Sequence, residues 1–81
     1  MEKEKEIKIF CINVKTIRQH ERLSKKEMAK ILHIGTRSLT MIENGILPPR
    51  IGVDILMRIH RRFGFRPSFM VSTHITYDEE L

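Results

Sequence analysis

The side chains best suited to chemistry lie between residues 36 and 42, where polar and apolar groups separate onto different sides of a short predicted helix. At the helical period, Leu39 and Ile42 point to one side. The side chains that point elsewhere are Thr36, Arg37, Thr40 and Met41. Outward-facing hydroxyl and guanidinium groups on a short helix are typical of a helix that reads base edges in a DNA groove.

The residue types that enzymes and metal sites use do not form a recognisable pattern in this chain. Ser24 has no nearby base that would make it a nucleophile, and the Glu27 three residues later explains it as part of a helix capping box. The four histidines are scattered, without a His-x-x-x-His pair or cysteine partners: His20, His33, His60 and His74. The sequence therefore predicts no enzyme, no metal site and no cofactor.

The charge distribution is consistent with a polyanionic partner but does not establish one. The net charge is +5, with acidic residues concentrated at both ends. From Lys15 to Arg66 there are twelve Lys or Arg and four Asp or Glu residues, a local balance of +8. A basic middle suits nucleic acid, although many basic domains have only a well-solvated surface.

The single cysteine and the absence of long apolar runs predict a location in the reducing cytoplasm. Cys11 has no partner for an internal disulfide and is expected to be a small buried residue. No apolar run approaches the roughly 20 residues that span a bilayer, so no membrane association is expected.

Two short helices joined by a turn, between Leu23 and Gly45, are expected to position the polar side chains. The first should run from Ser24 to Leu32, because Ser24 and Glu27 form a capping box and apolar residues recur at helical spacing. The turn follows at residues 33–35, where Gly35 is expected to supply backbone freedom. The helix after the turn, 36–43, should stop at Asn44-Gly45.

The flanking chain must supply the rest of the core, since two helices this short cannot bury their apolar faces alone. A helix is favoured for 4–21, although the alternating pattern near residues 4–10 also permits a strand. A further helix is predicted from about Gly52 to Phe63, ending at Gly64. A short last helix should begin at Pro67, reach about Val71, and press Phe69 and Met70 onto the core. The expected fold is a compact all-α bundle of five helices, in a domain of residues 1–71, followed by a tail (72–81) that is frayed or a short edge strand.

The stretch from Val14 to Phe69 resembles the phage-repressor type of helix-turn-helix domain, the Cro-like or XRE family. Five elements at fixed spacing carry the resemblance: Arg18, Leu23-Ser24-Lys25-Lys26-Glu27-Met28-Ala29, the turn His33-Ile34-Gly35, the recognition helix 36–42, and Glu43-Asn44-Gly45. The resemblance implies a lambda-repressor-like fold in which the second and third helices form the helix-turn-helix. It also implies that the third helix lies in the DNA major groove.

Roles for individual residues follow from the same resemblance. Thr36, Arg37, Thr40 and Met41 fall where relatives contact base edges. The residues at phosphate-contacting positions are Lys25, Ser38, Asn44 and Arg50. Arg18 and Glu43 match a structural ion pair that links the first helix to the end of the third.

The turn and the start of the second helix depart from the usual family pattern. His33 stands where relatives usually have glycine, in a position that requires a left-handed backbone. Gly35 stands where serine or threonine usually caps the third helix, so that cap lacks its side-chain oxygen. Lys25 replaces a common glutamine, which keeps a phosphate partner but loses the selectivity of an amide.

The leading hypothesis is sequence-specific binding of double-stranded DNA by a small transcriptional regulator, expected to be a repressor. One such domain buries little surface on DNA, so a homodimer on a pseudo-palindromic site is expected. The alternative is a protein-interaction module, such as the antitoxin component of a toxin–antitoxin pair. Its protein partner would dock on the apolar loop at Ile46-Leu47 or on the tail.

Overall fold

Five α-helices form the protein in a computed structural model, which describes residues 2–77. The helices are α1 (Glu2–His20), α2 (Lys25–Leu32), α3 (Thr36–Glu43), α4 (Asp54–Phe63) and α5 (Pro67–Ser72). The described residues contain no strand, so the expected all-α, lambda-repressor-like fold is confirmed. The strand considered for residues 4–10 is wrong, because that stretch continues without interruption into α1.

The core lies where α1 crosses the helix-turn-helix. α1 packs against α3 and α5, and α2 packs against α3 and α4. Val14, Ile17, Leu39 and Ile42 have no exposed surface. Cys11 is also buried, as expected, and burial raises the pKa of its thiol. The two short helices therefore obtain from α1 the apolar partner that they need.

Local start and stop signals fix most helix ends, but the start of α4 differs from the prediction. α4 begins at Asp54 and not at Gly52, because the preceding residues form tighter turns in which Ile55 N donates to Gly52 O. At its other end Gly64 adopts the left-handed conformation (φ 86°) and stops the helix as predicted. α5 starts at Pro67 and extends to Ser72, one residue beyond its predicted end.

The short helix α5 contributes one core residue where two were expected. Met70 is completely buried, whereas Phe69 keeps 37% of its surface exposed. The ring of Phe69 stacks on Phe65 at 5.9 Å between centroids. The expectation that Phe69 packs into the core is therefore wrong, since a six-residue helix turns one side inward and Met70 occupies that side.

Beyond α5 the chain packs back onto α1. Ile75 is buried in the core, and the ring of Tyr77 stacks on His20 at 3.4 Å between centroids. Up to Tyr77 the predicted tail is therefore neither frayed nor a strand. The rest of the predicted tail, residues 78–81, lies outside the described residues.

Candidate nucleic-acid interface

One side of α3 is apolar and buried, and the other presents polar side chains. Leu39 and Ile42 are fully buried. Opposite them, Thr36 and Arg37 are exposed, and Thr40 and Met41, one turn later, are half-buried. The structure thus brings these four side chains onto one surface, because residues three and four positions apart are neighbours on a helix. Among the described residues, none donates to or accepts from the Thr36, Arg37 or Thr40 side chains.

The N-terminus of α3 lacks a side-chain cap, and its backbone does not need a glycine. Gly35 occupies the N-cap position in an extended conformation (φ −77°, ψ 160°). A Cβ atom built there would meet nothing within 4 Å. The expectation that Gly35 supplies backbone freedom to the turn is therefore wrong, since any residue adopts this conformation.

The left-handed residue of the turn is His33, with φ 59° and ψ 43°. Its N–H donates to Lys30 O at 3.2 Å, and the N–H of Ile34 donates to Ala29 O at 3.0 Å. These two bonds form a Schellman motif, which satisfies the last carbonyls of α2. The hydrogen bonds and the partly buried Ile34 offset the strain of a side chain at this position.

The N-terminus of α2 is capped and carries an exposed lysine. The Ser24 hydroxyl accepts from Glu27 N at 3.0 Å, and the Glu27 carboxylate accepts from Ser24 N at 2.8 Å, which confirms the capping box. Lys25 and Lys26 follow at the first two helical positions, both exposed. Their amides precede the first helical bond, Met28 N to Ser24 O, and are therefore oriented to bind an anion.

Arg18 holds the end of α3 against α1. Its Nε donates to Glu43 Oε2 at 2.6 Å and its Nη2 donates to Glu43 Oε1 at 3.0 Å. A third bond runs from Nη1 to Leu23 O at 3.0 Å, so one guanidinium joins α1, the α1–α2 turn and α3. The two side chains are only 16% and 4% exposed. The hydrogen bond to Glu43 favours the charged guanidinium and so raises the pKa of Arg18.

The remaining candidate phosphate contacts lie around the same surface, at different depths. Asn44 is exposed and follows α3 directly, one turn after Thr40 and Met41. Ser38 is half-buried on the flank of α3, and Arg50 lies further away in the chain, in an exposed turn between α3 and α4. Asn44 therefore extends the α3 surface, whereas Arg50 belongs to a separate loop.

Comparison with known proteins identifies the domain type. A family model described as helix-turn-helix matches residues 14–70, more than half of the chain. The chain belongs to the helix-turn-helix family. The match agrees with the Cro-like or XRE resemblance, and it makes the protein a DNA-binding domain of the regulatory kind. Comparison with curated proteins and with solved structures gave no significant match.

The described part of this helix-turn-helix domain was also searched for groups of metal ligands and for membrane-spanning helices. Residues 2–77 contain no group of three or more His, Cys, Asp or Glu side chains placed to hold a metal ion. No described helix is both long enough and apolar enough to cross a membrane.

Sequence reasoning missed the most buried polar residue of the domain, Asn13. Its amide donates to Met70 O at 2.9 Å and to Thr73 O at 2.8 Å, and its carbonyl accepts from Ile75 N at 2.8 Å. Asn13 has no exposed surface. The available signal was a polar residue within the apolar stripe of α1, three residues after Phe10 and four before Ile17. Its partners, 57 to 62 residues away, were not deducible.

The stack between Tyr77 and His20 was also missed. Burial, with a smaller contribution from Glu21, raises the pKa of Tyr77. The Tyr77 hydroxyl is buried and has no hydrogen-bond partner among the described residues. The stack holds Tyr77 at the C-terminal end of α1, and the hydrogen bond from Asn13 holds Thr73 against the same helix.

Proposed function

We propose that this domain is a transcriptional repressor that binds double-stranded DNA in a sequence-specific way, with α3 in the major groove. The observation that carries the proposal is the α3 surface, on which Thr36, Arg37, Thr40 and Met41 lie together opposite a fully buried side. An α-helix with its side chains is about 10–12 Å across. The major groove, which is about 12 Å wide, therefore admits α3.

Each of the four side chains has a chemical partner in the major groove. Arg37 offers two parallel N–H donors to guanine O6 and N7, and Thr36 and Thr40 donate to or accept from base edges. Met41 packs on a thymine methyl group. Because Leu39 and Ile42 anchor the helix from behind, these side chains approach the bases from a fixed backbone, which favours specificity.

Phosphate contacts would hold the helix in register along the groove. We assign this role to Lys25, Ser38, Asn44 and Arg50, with the first-turn amides of α2 as additional donors. Arg18 and Glu43 are assigned a structural role, since three guanidinium N–H groups of Arg18 already donate within the fold and the two side chains are only 16% and 4% exposed.

We further propose that two copies bind a pseudo-palindromic site in the cytoplasm. Two α3 helices would then enter successive major grooves about 34–36 Å apart. Occupation of such a site beside a promoter gives repression without a cofactor.

The decisive experiment is selection of bound fragments from random duplex DNA by the purified protein. We expect one enriched motif with two related halves, and recovery without any motif would contradict the proposal. On the selected site, Arg37→Ala should lose about 1–3 kcal/mol at one base pair and relax the preference there. Arg61→Ala is the matched control, because Arg61 is an exposed arginine on α4 and should leave base preference unchanged. Equal loss of specific and non-specific binding in Arg37→Ala would argue against base reading.

A second candidate function, a protein-interaction module, is favoured by the exposed loop after α3. Ile46 and Leu47 keep 54% and 37% of their surfaces accessible. The described part of the C-terminal tail is less available, because Ile75 is buried against α1. Failure of the protein to bind DNA at low salt, together with co-purification of a partner in fixed stoichiometry, would favour this function.

A further inference from the structure

A basic and aromatic surface lies where the end of α4 meets α5, and it contains none of the residues assigned to DNA. A shallow hollow of about 250 Å³ is lined there by Gly64, Phe65, Arg66 and Phe69. Phe69 keeps 37% of its surface exposed, and its ring stacks on that of Phe65 at 5.9 Å between centroids. Aromatic and arginine side chains are the types that are enriched in the cores of protein interfaces.

The aromatic rings are held in place before any partner binds. Phe65 meets the edge of Tyr77, with 6.3 Å between the ring centroids and 86° between the ring planes. Tyr77 in turn stacks on His20, so the row of rings is anchored on α1. A surface that is fixed in this way loses little side-chain entropy when a ligand binds, which favours affinity.

The charged groups around the hollow are arginines. Residues 55–77 contain four arginines and no aspartate, glutamate or lysine. Arg66 lines the hollow, and Arg61 and Arg62 lie three and two residues before Gly64, within about 11 Å of it. All three arginines are exposed, and none forms an ion pair with another residue in the described range 2–77. The surface therefore carries a positive charge that attracts a negatively charged partner.

The combination of an apolar hollow with arginines selects among negatively charged partners. Duplex DNA would bring phosphates to the arginines, but its backbone has no apolar group that fills the hollow. A second copy related by a two-fold axis would bring the same arginines toward each other, and such like charges repel. An acidic peptide with one large apolar side chain fits both features. Its carboxylates accept paired hydrogen bonds from guanidinium groups, and its apolar side chain covers Phe69.

We propose that this α4–α5 surface, formed by Arg61, Phe65, Arg66 and Phe69, binds an acidic segment of a partner protein. Carboxylates of the segment pair with Arg61 and Arg66, and one large apolar side chain of the segment fills the hollow beside Phe69. The proposal goes beyond the proposed function and does not depend on it, since the surface shares no residue with the assigned DNA contacts. A repressor bound to its DNA site thus keeps a second surface for a protein partner.

The first test measures peptide binding by fluorescence anisotropy, without DNA and at low salt, where charge attraction is least screened. The probe is a labelled peptide of about nine residues, all glutamate except one central leucine, with an expected Kd on the order of 0.1 mM. A peptide with glycine in place of the leucine should bind at least about 5-fold more weakly, because it leaves the hollow empty. Equal binding of the leucine and glycine peptides, or no binding of the acidic peptide, would overturn the proposal.

The second test repeats the measurement with variants of the surface. Arg66→Ala and Phe69→Ala should each weaken binding of the leucine peptide by at least about 5-fold, and Phe69→Ala should bind the leucine and glycine peptides alike. Lys8→Ala is the control for lost charge, because Lys8 is exposed and lies 12 residues, or about 18 Å, along α1 from His20. Ile12→Ala is the control for lost apolar surface, because Ile12 is 48% exposed and does not line the hollow.

Both controls should stay within about 2-fold of the parent's peptide affinity. Thermal melts check that each variant folds. Surface variants that bind the peptide like the parent, or controls that lose as much affinity as the surface variants, would overturn the proposal.

A competition experiment separates an acidic peptide from nucleic acid, because single strands also stack on aromatic side chains. Unlabelled single-stranded oligothymidine should displace the labelled peptide at least about 10-fold less effectively than the unlabelled peptide does. Displacement by oligothymidine at the same concentration as the peptide, or a lower one, would overturn the proposal in favour of a nucleic-acid site. Phe69→Ala, which changes no charge, should bind the selected DNA duplex like the parent. Because the peptide assay contains no DNA, its failure and the failure of the proposed function are separate results.

Discussion

Replacing Asn13 by alanine should be among the most destabilising single changes outside the apolar core. The substitution removes two buried hydrogen bonds, with Met70 O and Ile75 N, and a partly buried one with Thr73 O. Each bond contributes about 0.5–1.5 kcal/mol, and a buried donor left without a partner costs about 1–3 kcal/mol. The expected loss in the free energy of unfolding is therefore about 3 kcal/mol, a large share of the roughly 5–15 kcal/mol typical of a domain.

Thermal and urea unfolding, followed by circular dichroism, measure this loss. For a domain of this size, 1 kcal/mol shifts Tm by about 4–8 °C, so Asn13→Ala should melt roughly 12–24 °C below the parent. Thr16→Ala is the matched control. It removes the Thr16 hydroxyl bond to Ile12 O, an exposed side-chain-to-backbone bond on the same helix, and should cost less than about 0.5 kcal/mol.

A second readout locates the damage. Tyr77 is the only tyrosine and the chain has no tryptophan, so tyrosine fluorescence reports on the C-terminal segment alone. Release of this segment from His20 should change the emission of Asn13→Ala below its melting transition. A loss of less than about 1 kcal/mol, with parent-like emission, would refute the view that Asn13 anchors the segment.

Asn13→Asp adds a pH dependence with a definite sign. A carboxylate would still accept from Ile75 N but would face the carbonyl oxygens of Met70 and Thr73. Burial and these dipoles should raise the folded-state pKa of the new carboxyl above its unfolded value of about 3.9. A raised pKa makes the folded state bind more protons, so this variant should lose stability as the pH rises from about 4 toward neutrality. Asn13→Ala, which has no titrating group, should lose the same amount at both pH values.

Three further changes test other contacts. Arg18→Ala should lower the free energy of unfolding by about 3–5 kcal/mol, because it leaves the Glu43 carboxylate buried without its partner. The control is Arg58→Ala, which breaks an exposed ion pair whose nitrogen and oxygen are 3.7 Å apart, between Arg58 and Asp54, and should cost at most about 0.5 kcal/mol in the same melts. Similar losses in Arg18→Ala and Arg58→Ala would contradict the structural role of the pair between Arg18 and Glu43. Gly35→Ser should raise stability by about 0.5–1 kcal/mol, since the site is extended, open and uncapped, and a lowered Tm would show that the glycine is needed. Lys25→Ala should weaken binding to all DNA sequences alike and reduce the slope of log K against log salt by about 1, whereas an unchanged slope would remove Lys25 from the phosphate contacts.

The helix-turn-helix was predictable because its signals are local. Ser24 and Glu27 are three residues apart, and the left-handed Gly45 follows α3 after a single residue, Asn44. The extent of α3 follows from the alternation of buried Leu39 and Ile42 with polar neighbours, a pattern contained within eight residues. Such features depend on chain geometry over one or two turns, so the sequence alone specifies them.

The C-terminal packing could not be predicted, because its determinants are distant in sequence. Ile75 packs into the core, and its amide donates to Asn13, which lies 62 residues earlier. Phe69 and Met70 are adjacent apolar residues, and which of them faces the core depends on how α5 lies on α1. An apolar groove lined by Ile7, Ile51, Leu56 and Val71 likewise arises from α1, the loop between α3 and α4, α4 and α5, which meet only in the folded chain.

The two polar anchors of α1 divide the domain into parts that a mutation can separate. Arg18 binds the end of α3, whereas Asn13 binds the segment from Met70 to Ile75. Both anchors stabilise the fold, but only Arg18 is bonded to the helix that carries the candidate base contacts. At a temperature where each variant is still folded, Asn13→Ala should therefore bind the selected DNA site like the parent. Arg18→Ala should bind more weakly even when fully folded, because α3 has lost the bond that fixes its end.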